Sequence, residues 1–128
     1  MILDMISGED AWQMVFEANQ FNDPPEQGMR YLIIRVQVGY IGLDEQGETI
    51  RDDAFFITTP SGMLYEPVSV VSPEPELFFE LFPGGVVEGL VVFLVPVAEE
   101  GMALLFDPVP SVRSDFNRRY LSLPQSGR

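Results

Sequence analysis

The sequence predicts an all-β protein, folded as an antiparallel β-sandwich of about seven strands. Apolar and polar residues alternate with a period of two along several segments, and turn residues separate these segments. Almost no segment shows the apolar stripe of an amphipathic helix. The chain has 128 residues, 46% of them hydrophobic, which suits one domain with one hydrophobic core.

The first predicted strand covers residues 12–18. Trp12, Met14 and Phe16 alternate there with other residues, so they are expected on one face of a strand, with the tryptophan in the core. The strand should end at residues 22–25, because the two prolines there cannot donate hydrogen bonds to a sheet.

The longest alternation covers residues 29–41 and predicts a second strand. Five apolar residues share one face of it: Leu32, Ile34, Val36, Val38 and Tyr40. Residues 42–51 are mostly glycine and polar residues and predict an exposed connection. Residues 54–59 predict a strand, and the turn at 60–62 should fold residues 63–65 back as a hairpin.

The second half of the chain contains two further clear strands. Residues 86–97 are apolar at nearly every position, which predicts a strand covered on both faces at the centre of a sheet. Residues 102–106 predict a short strand after the next turn. The sequence leaves the secondary structure of two segments undecided. Residues 77–82 fit either a helical turn or a strand, and the region after Ser111 fits either an edge strand or a short helix.

The chain is strongly acidic, with 20 acidic and 7 basic residues and a formal net charge of -13. Such a body repels nucleic acid and anionic lipid, so we expect neither as a partner. We divide the chain into a β-sandwich domain, residues 1–112, and a basic tail, residues 113–128. The tail should lie along an acidic domain, either that of its own chain or that of a neighbouring molecule. The basic residues of the tail are Arg113, Arg118, Arg119 and Arg128.

Three residue types are missing from the chain: Cys, His and Lys. Without Cys there is no disulfide and no thiolate metal site, and without His the usual general base at neutral pH is missing. Adjacent acids such as Glu99 and Glu100 are expected in solvated turns rather than as an acid–base pair. The sequence therefore predicts a protein that is not an enzyme and uses no cofactor, with a carboxylate-based hydrolase as the least favoured alternative.

We find no targeting segment in the sequence. Residues 1–6 contain an acid and are too short for the apolar core of a signal peptide, and residues 86–97 are too few to cross a bilayer as a helix. We therefore expect no insertion into a membrane.

One group of acids is a weak candidate for a calcium site. Carboxylate oxygens bind Ca²⁺ when several converge on it, but the spacing here does not match a calcium-binding loop. A solvated acidic loop is therefore the favoured interpretation. The candidate ligands are Asp44, Glu45, Glu48, Asp52 and Asp53.

Residues 77–82 contain five apolar residues in six and are the best candidate for an interaction surface. An irregular segment cannot turn all five side chains inward. The segment is therefore either a buried cap over an open end of the sandwich, which we favour, or an exposed patch for another protein. The residues of this candidate surface are Leu77, Phe78, Phe79 and Phe82.

Three strings of residues, in order along the chain, resemble a known family. They are Asn19-Gln-Phe-Asn-x-Pro-Pro-x-x-Gly-x-x-Tyr31, Phe55-x-Ile57 with Gly62-x-x-Tyr65, and Leu81-x-Pro-Gly-Gly-x-Val-x-Gly89-x-Val91-x-Phe93-x-Val95-Pro96. Over residues 12–108 the chain resembles the telokin-like, immunoprotective-antigen-like family of small immunoglobulin-like β-sandwich domains. The resemblance implies an immunoglobulin-like fold and export, because members are mostly bacterial secreted proteins or lipoproteins. It implies no catalytic residues.

Together these observations predict a non-catalytic binding or interaction module, extracellular or in the cell envelope, with a protein partner. The alternative is a structural domain that self-associates, for example as a homodimer, within a larger envelope assembly. The chain shows no export signal, so a cytoplasmic location stays open, as does the removal of a leader or a lipid anchor.

Overall fold

The computed structural model describes residues 2–39, 48–70, 73–75, 77–82, 84–106 and 119–123. In these residues the protein is mostly β, with nine strands, one α-helix and one short 3₁₀-helix. The α-helix is α1 (Glu9–Ala18), and the 3₁₀-helix is Asp52–Ala54. The strands are β1 (Ile2–Ser7), β2 (Met29–Gly39), β3 (Glu48–Arg51), β4 (Phe55–Thr58), β5 (Leu64–Tyr65), β6 (Phe78–Leu81), β7 (Val86–Pro96), β8 (Ala103–Phe106) and β9 (Arg119–Ser122).

The described strands form three antiparallel sheets. One sheet has the order β1-β2-β7, and another has the order β5-β4-β8-β9. Strands β3 and β6 pair as a separate two-stranded sheet. The pairing of β2 with β7 extends over the full length of both strands, from Met29 opposite Pro96 to Gly39 opposite Val86.

The main core lies where the three-stranded sheet meets the four-stranded sheet. Strands β2 and β7 contribute alternate residues to it, as the period of two predicts for β2. Phe55, Ile57 and Leu104 contribute from β4 and β8. The buried residues from β2 and β7 are Leu32, Ile34, Val36, Val91, Phe93 and Val95. Tyr40, also predicted on this face, lies outside the described residues.

Helix α1 corrects the first prediction, because residues 12–18 are helical and not a strand. Ala11 and Val15 are one helical turn apart, and both are fully buried against Tyr31 and Ile33 on the outer face of the three-stranded sheet. Residues i and i+4 lie on one side of a helix, so this pair fixes the buried side of α1. Two acids at the first turn, Glu9 and Asp10, also favour a helix N-terminus.

Strand β7 is covered on both faces from Gly89 to Val95, as predicted, although Val86 and Glu88 at its start are exposed, and it is not the central strand of its sheet. Strand β2 lies in the centre, between β1 and β7. The outer edge of β7 is met by the segment before β6 instead. Val68 N–H donates to the carbonyl of Val92 at 2.9 Å, and Leu90 N–H donates to the carbonyl of Pro75 at 2.8 Å. Backbone groups of an irregular segment therefore form hydrogen bonds with part of the outer edge of β7.

Other local predictions agree with the structure where it describes them. Strand β5 folds back on β4 after the turn at 60–62, and β8 forms in residues 102–106. Residues 48–51 form β3, so the prediction of a connection through 42–51 is wrong at its end, because β3 pairs with β6. Residues 78–81, left open, are a strand.

The C-terminal tail includes strand β9, which pairs with β8 at the edge of the four-stranded sheet. An edge strand was one of the two alternatives for this region. A chain cut after residue 112 would lose β9, so truncation there changes the sheet as well as the charge. In the described residues we find no helix with the length and apolar content needed to span a bilayer.

Candidate functional site

A series of three aromatic rings leads from the core to the surface beside α1. Tyr31 on β2 is buried and stacks on Trp12, with ring centroids 5.8 Å apart and an angle of 14° between the rings. Trp12 in turn contacts Phe16, one helical turn later, at 5.6 Å and 55°. The side chain of Phe16 is 43% exposed. Trp12 therefore packs between a core residue and a surface residue.

The loop after α1 presents a second aromatic side chain on a fixed backbone. Phe21 N–H donates to Oδ1 of Asn19 at 2.8 Å, and Asn22 N–H donates to the carbonyl of Asn19 at 3.0 Å. The side-chain amide of Asn22 also donates to the carbonyl of Val15 near the end of the helix, at 3.0 Å. These bonds hold the backbone on both sides of Phe21, yet its side chain is 84% exposed.

Tyr31 connects this loop to the sheet. Its hydroxyl donates a hydrogen bond of 2.7 Å to the backbone carbonyl of Asp23. The same tyrosine stacks on Trp12, so the loop and the helix are both fixed to one residue of β2. This arrangement positions Phe16 and Phe21 relative to the same sheet.

The charged residues of the helix and of the loop after it all have the same sign. Residues 8–28 contain five acids and no basic residue, and all five acids are exposed. We call the exposed side chains of Phe16 and Phe21, together with these acids, the α1 surface. The acids are Glu9, Asp10, Glu17, Asp23 and Glu26.

Burial raises the pKa of the Tyr31 hydroxyl, and the negative charge of Asp23 raises it further. Both effects disfavour the phenolate form. The folded protein therefore holds the proton of Tyr31 more tightly than the unfolded chain does, and the hydrogen bond to Asp23 depends on that proton.

We expect the free energy of unfolding to fall as the pH rises above about 10, the ordinary pKa of tyrosine. The contribution of Tyr31 is fully present below the pKa of the unfolded chain and is lost as the pH rises through the higher pKa of the folded state. Replacing Tyr31 with Phe removes one hydrogen bond, so at neutral pH it should cost about 0.5–1.5 kcal/mol.

Urea unfolding at a series of pH values from neutral to alkaline would measure both effects. The Tyr31→Phe variant should lose less stability than the parent between neutral pH and pH values above about 10. Parallel losses in parent and variant would show that other groups cause the alkaline destabilisation.

Of the four side chains of the predicted interaction surface, the structure describes two, and these two differ in exposure. Leu77 is only 1% exposed and belongs to the main core, so it cannot contact a partner. Phe82, five residues later, is 49% exposed. Phe78 and Phe79 lie in β6, but their side chains are outside what the structure describes. One end of the segment is thus buried and the other is exposed.

The calcium candidates are only partly described. Asp44 and Glu45 lie outside the described residues, Glu48 begins β3, and Asp52 and Asp53 are in the 3₁₀-helix. Asp52 already has an interaction partner in the structure. Among the described residues there is no group of three acids that could hold a metal ion. The calcium site stays a prediction.

Comparison of the chain with protein-family models, curated proteins and solved structures gave no match.

The sequence contained signals for this surface that the strand prediction concealed. Trp12 and Phe16 are four residues apart, the spacing of neighbours on a helix. Phe21 stands between turn-forming Asn19 and Asn22, in a polar loop with no apolar periodicity to bury it. An aromatic residue in such a loop is a candidate for an exposed contact.

Proposed function

We propose that the protein is a non-catalytic binding module, and that it binds another protein through the α1 surface. The observation that carries this proposal is Phe21, an aromatic side chain 84% exposed on a loop whose backbone is held by hydrogen bonds. Mobile loops often expose apolar side chains without consequence. A fixed loop that exposes one keeps it in position for a partner.

The energetics of association favour this interpretation. Full burial of a phenylalanine side chain is worth about 1.5–3 kcal/mol, and large aromatic anchors carry much of the binding energy at protein interfaces. The hydrogen bonds of Asn19 and Asn22 fix the loop before binding. Binding then loses less conformational entropy than it would with a flexible loop.

The chemistry of the chain supports the non-catalytic part of this proposal. No residue is a His or a Cys, so a general base would have to be a carboxylate or a tyrosine, and the serine and threonine hydroxyls have no imidazole to activate them. The five acids of the α1 surface are all exposed to water, and nothing in this arrangement separates them into an acid and a base.

We further propose that the fold is an immunoglobulin-like β-sandwich and that the protein works outside the bacterial cytoplasm, as the resemblance to the telokin-like family implies. Two antiparallel sheets that share the main core support the first part. Helix α1 on the outer face of one sheet is an addition to such a sandwich. Immunodetection in the fractions of producing cells would test the location.

Self-association through an edge strand is the weaker alternative, and the edge of β1 argues against it. The N–H of Met5 donates to the carboxylate of Asp4 at 2.9 Å, and the register of β1 shifts between Ile2 and Asp4. A charged side chain and an irregular register both hinder the addition of another strand.

Crosslinking in the producing cells would test the binding function. A photoreactive phenylalanine at position 21 should give a covalent adduct with another protein, whereas the same group at position 82 should give none. The control is suitable because Phe82 is also an exposed phenylalanine, on a different part of the chain. If neither position 16 nor position 21 gives an adduct, the α1 surface does not bind a protein.

A further inference from the structure

We propose that the partner of the α1 surface is a protein segment that places arginine or lysine side chains around an apolar anchor. This inference rests on the proposed binding function and names the chemistry of the partner. It combines the two features of the surface, its uniform negative charge and its exposed aromatic rings.

The charge of the surface determines which partners approach it. Residues 8–28 carry five exposed acids, and none of these residues is basic. Each exposed charge pair contributes little to affinity on its own. A field of one sign nevertheless accelerates the approach of a basic partner and slows that of an acidic one.

The aromatic rings determine what the partner must place on the surface. A phenylalanine ring attracts an arginine or lysine cation to its face and packs against apolar side chains. Phe21 offers most of its ring to solvent, and Phe16 offers nearly half of its side chain. A segment with both basic and apolar residues should therefore bind this surface more tightly than a purely basic segment.

The same features exclude two other occupants, and they exclude a dimer in which two α1 surfaces face each other. A second copy of the chain cannot bind by the same surface, because the five acids of each copy would face those of the other. Nucleic acid and anionic lipid carry the same sign of charge as the surface. A basic, partly apolar protein segment is the occupant that remains.

Fluorescence anisotropy with three labelled synthetic peptides of equal length tests the proposal on the full chain. One peptide alternates Arg with Leu, the second alternates Arg with Ser, and the third alternates Glu with Leu. We expect the Arg/Leu peptide to bind at least about tenfold more tightly than the Arg/Ser peptide, and the Glu/Leu peptide not to bind. Vesicles of anionic phospholipid should not bind either.

Two variants connect the binding to the α1 surface. Phe21→Ser should weaken binding of the Arg/Leu peptide by about tenfold or more, whereas Phe82→Ser should change it by less than about twofold. The double variant Glu17→Gln with Asp23→Asn should reduce the dependence of the dissociation constant on salt. These side chains are exposed, so thermal unfolding should show that all the variants stay folded.

The outcomes separate this inference from the proposed function. Equal binding of the Arg/Ser and Arg/Leu peptides, with no effect of Phe21→Ser, would mean nonspecific attraction by charge and would overturn the inference. An adduct in cells from position 21 to a protein segment without basic residues would also overturn it, while the binding function would stand.

Discussion

Replacing Leu77 with Ala should lower the free energy of unfolding by about 2–5 kcal/mol. Leu77 is 1% exposed and packs in the main core with residues of both large sheets. Truncation to alanine removes apolar contacts and leaves a cavity that the two sheets can close only in part. The leucine also fixes the irregular segment before β6 against β7, so its loss affects the covered edge of that strand.

Urea unfolding followed by circular dichroism would measure the change, with Phe82→Ala as the matched control. Phe82 lies in the same segment but is 49% exposed, so its truncation should cost well under half as much. Similar losses for the two variants would contradict the burial of Leu77. The comparison also decides between a buried cap and an exposed patch at the two ends of residues 77–82.

The parts of the fold that depend on neighbours in sequence could be predicted. The alternation in β2 gave the strand and the core face of Leu32, Ile34 and Val36. The turn residues at 60–62 predicted the β4–β5 hairpin, because turn-forming residues and the β-branched residues beside them are local signals. Short-range patterns specify elements of this kind before any long-range contact forms.

Helix α1 is an element for which the local sequence pattern predicted the wrong secondary structure. Trp12, Met14 and Phe16 fit a period of two, but Ala11 and Val15 fit the helical period equally well. Packing of the second pair on β2 decided the outcome. Phe21 was not predicted as a contact for the same reason, because a strand over residues 12–18 gives no helix end from which the loop can project.

The order of the strands could not be predicted, because it depends on contacts between distant residues. Strand β3 pairs with β6 across 26 residues of intervening chain, from Arg51 opposite Phe78. Similarly, the edge position of β7 depends on where β2 pairs, and no residue of β7 specifies it. In the run 77–82, the sequence showed that the residues are apolar but not that Leu77 is buried and Phe82 exposed.

Replacing Gly89 with Ala should destabilise the protein by about 1–3 kcal/mol or more. A Cβ at position 89 would lie 2.8 Å from the Cα of Leu77 and 2.9 Å from its Cβ. Real Cβ atoms do not approach so closely, so either β7 or the segment that carries Leu77 must move. That movement would strain the hydrogen bond between Leu90 N–H and the carbonyl of Pro75.

The matched control is Gly39→Ala on the paired strand of the same sheet. A Cβ at position 39 would meet Val86 Cγ2 at 3.8 Å and the carbonyl of Gly85 at 3.9 Å, which are ordinary contacts. That variant should be neutral or stabilised by up to about 1 kcal/mol, because alanine restricts the unfolded chain. Equal losses for both variants would mean that glycine matters for strand propensity and not for close packing.

The Gly89→Ala change should also be measured in the Leu77→Ala background. Alanine at position 77 removes the Cδ1 atom, 3.0 Å from the new Cβ, but it keeps the Cα and Cβ atoms that lie closest. We therefore expect most of the cost of Gly89→Ala to persist in the double variant, with an interaction energy below about 1 kcal/mol. If the cost disappears, the obstacle is the end of the leucine side chain. If it persists, the backbone of the segment itself lies against β7, and only glycine at position 89 permits that approach.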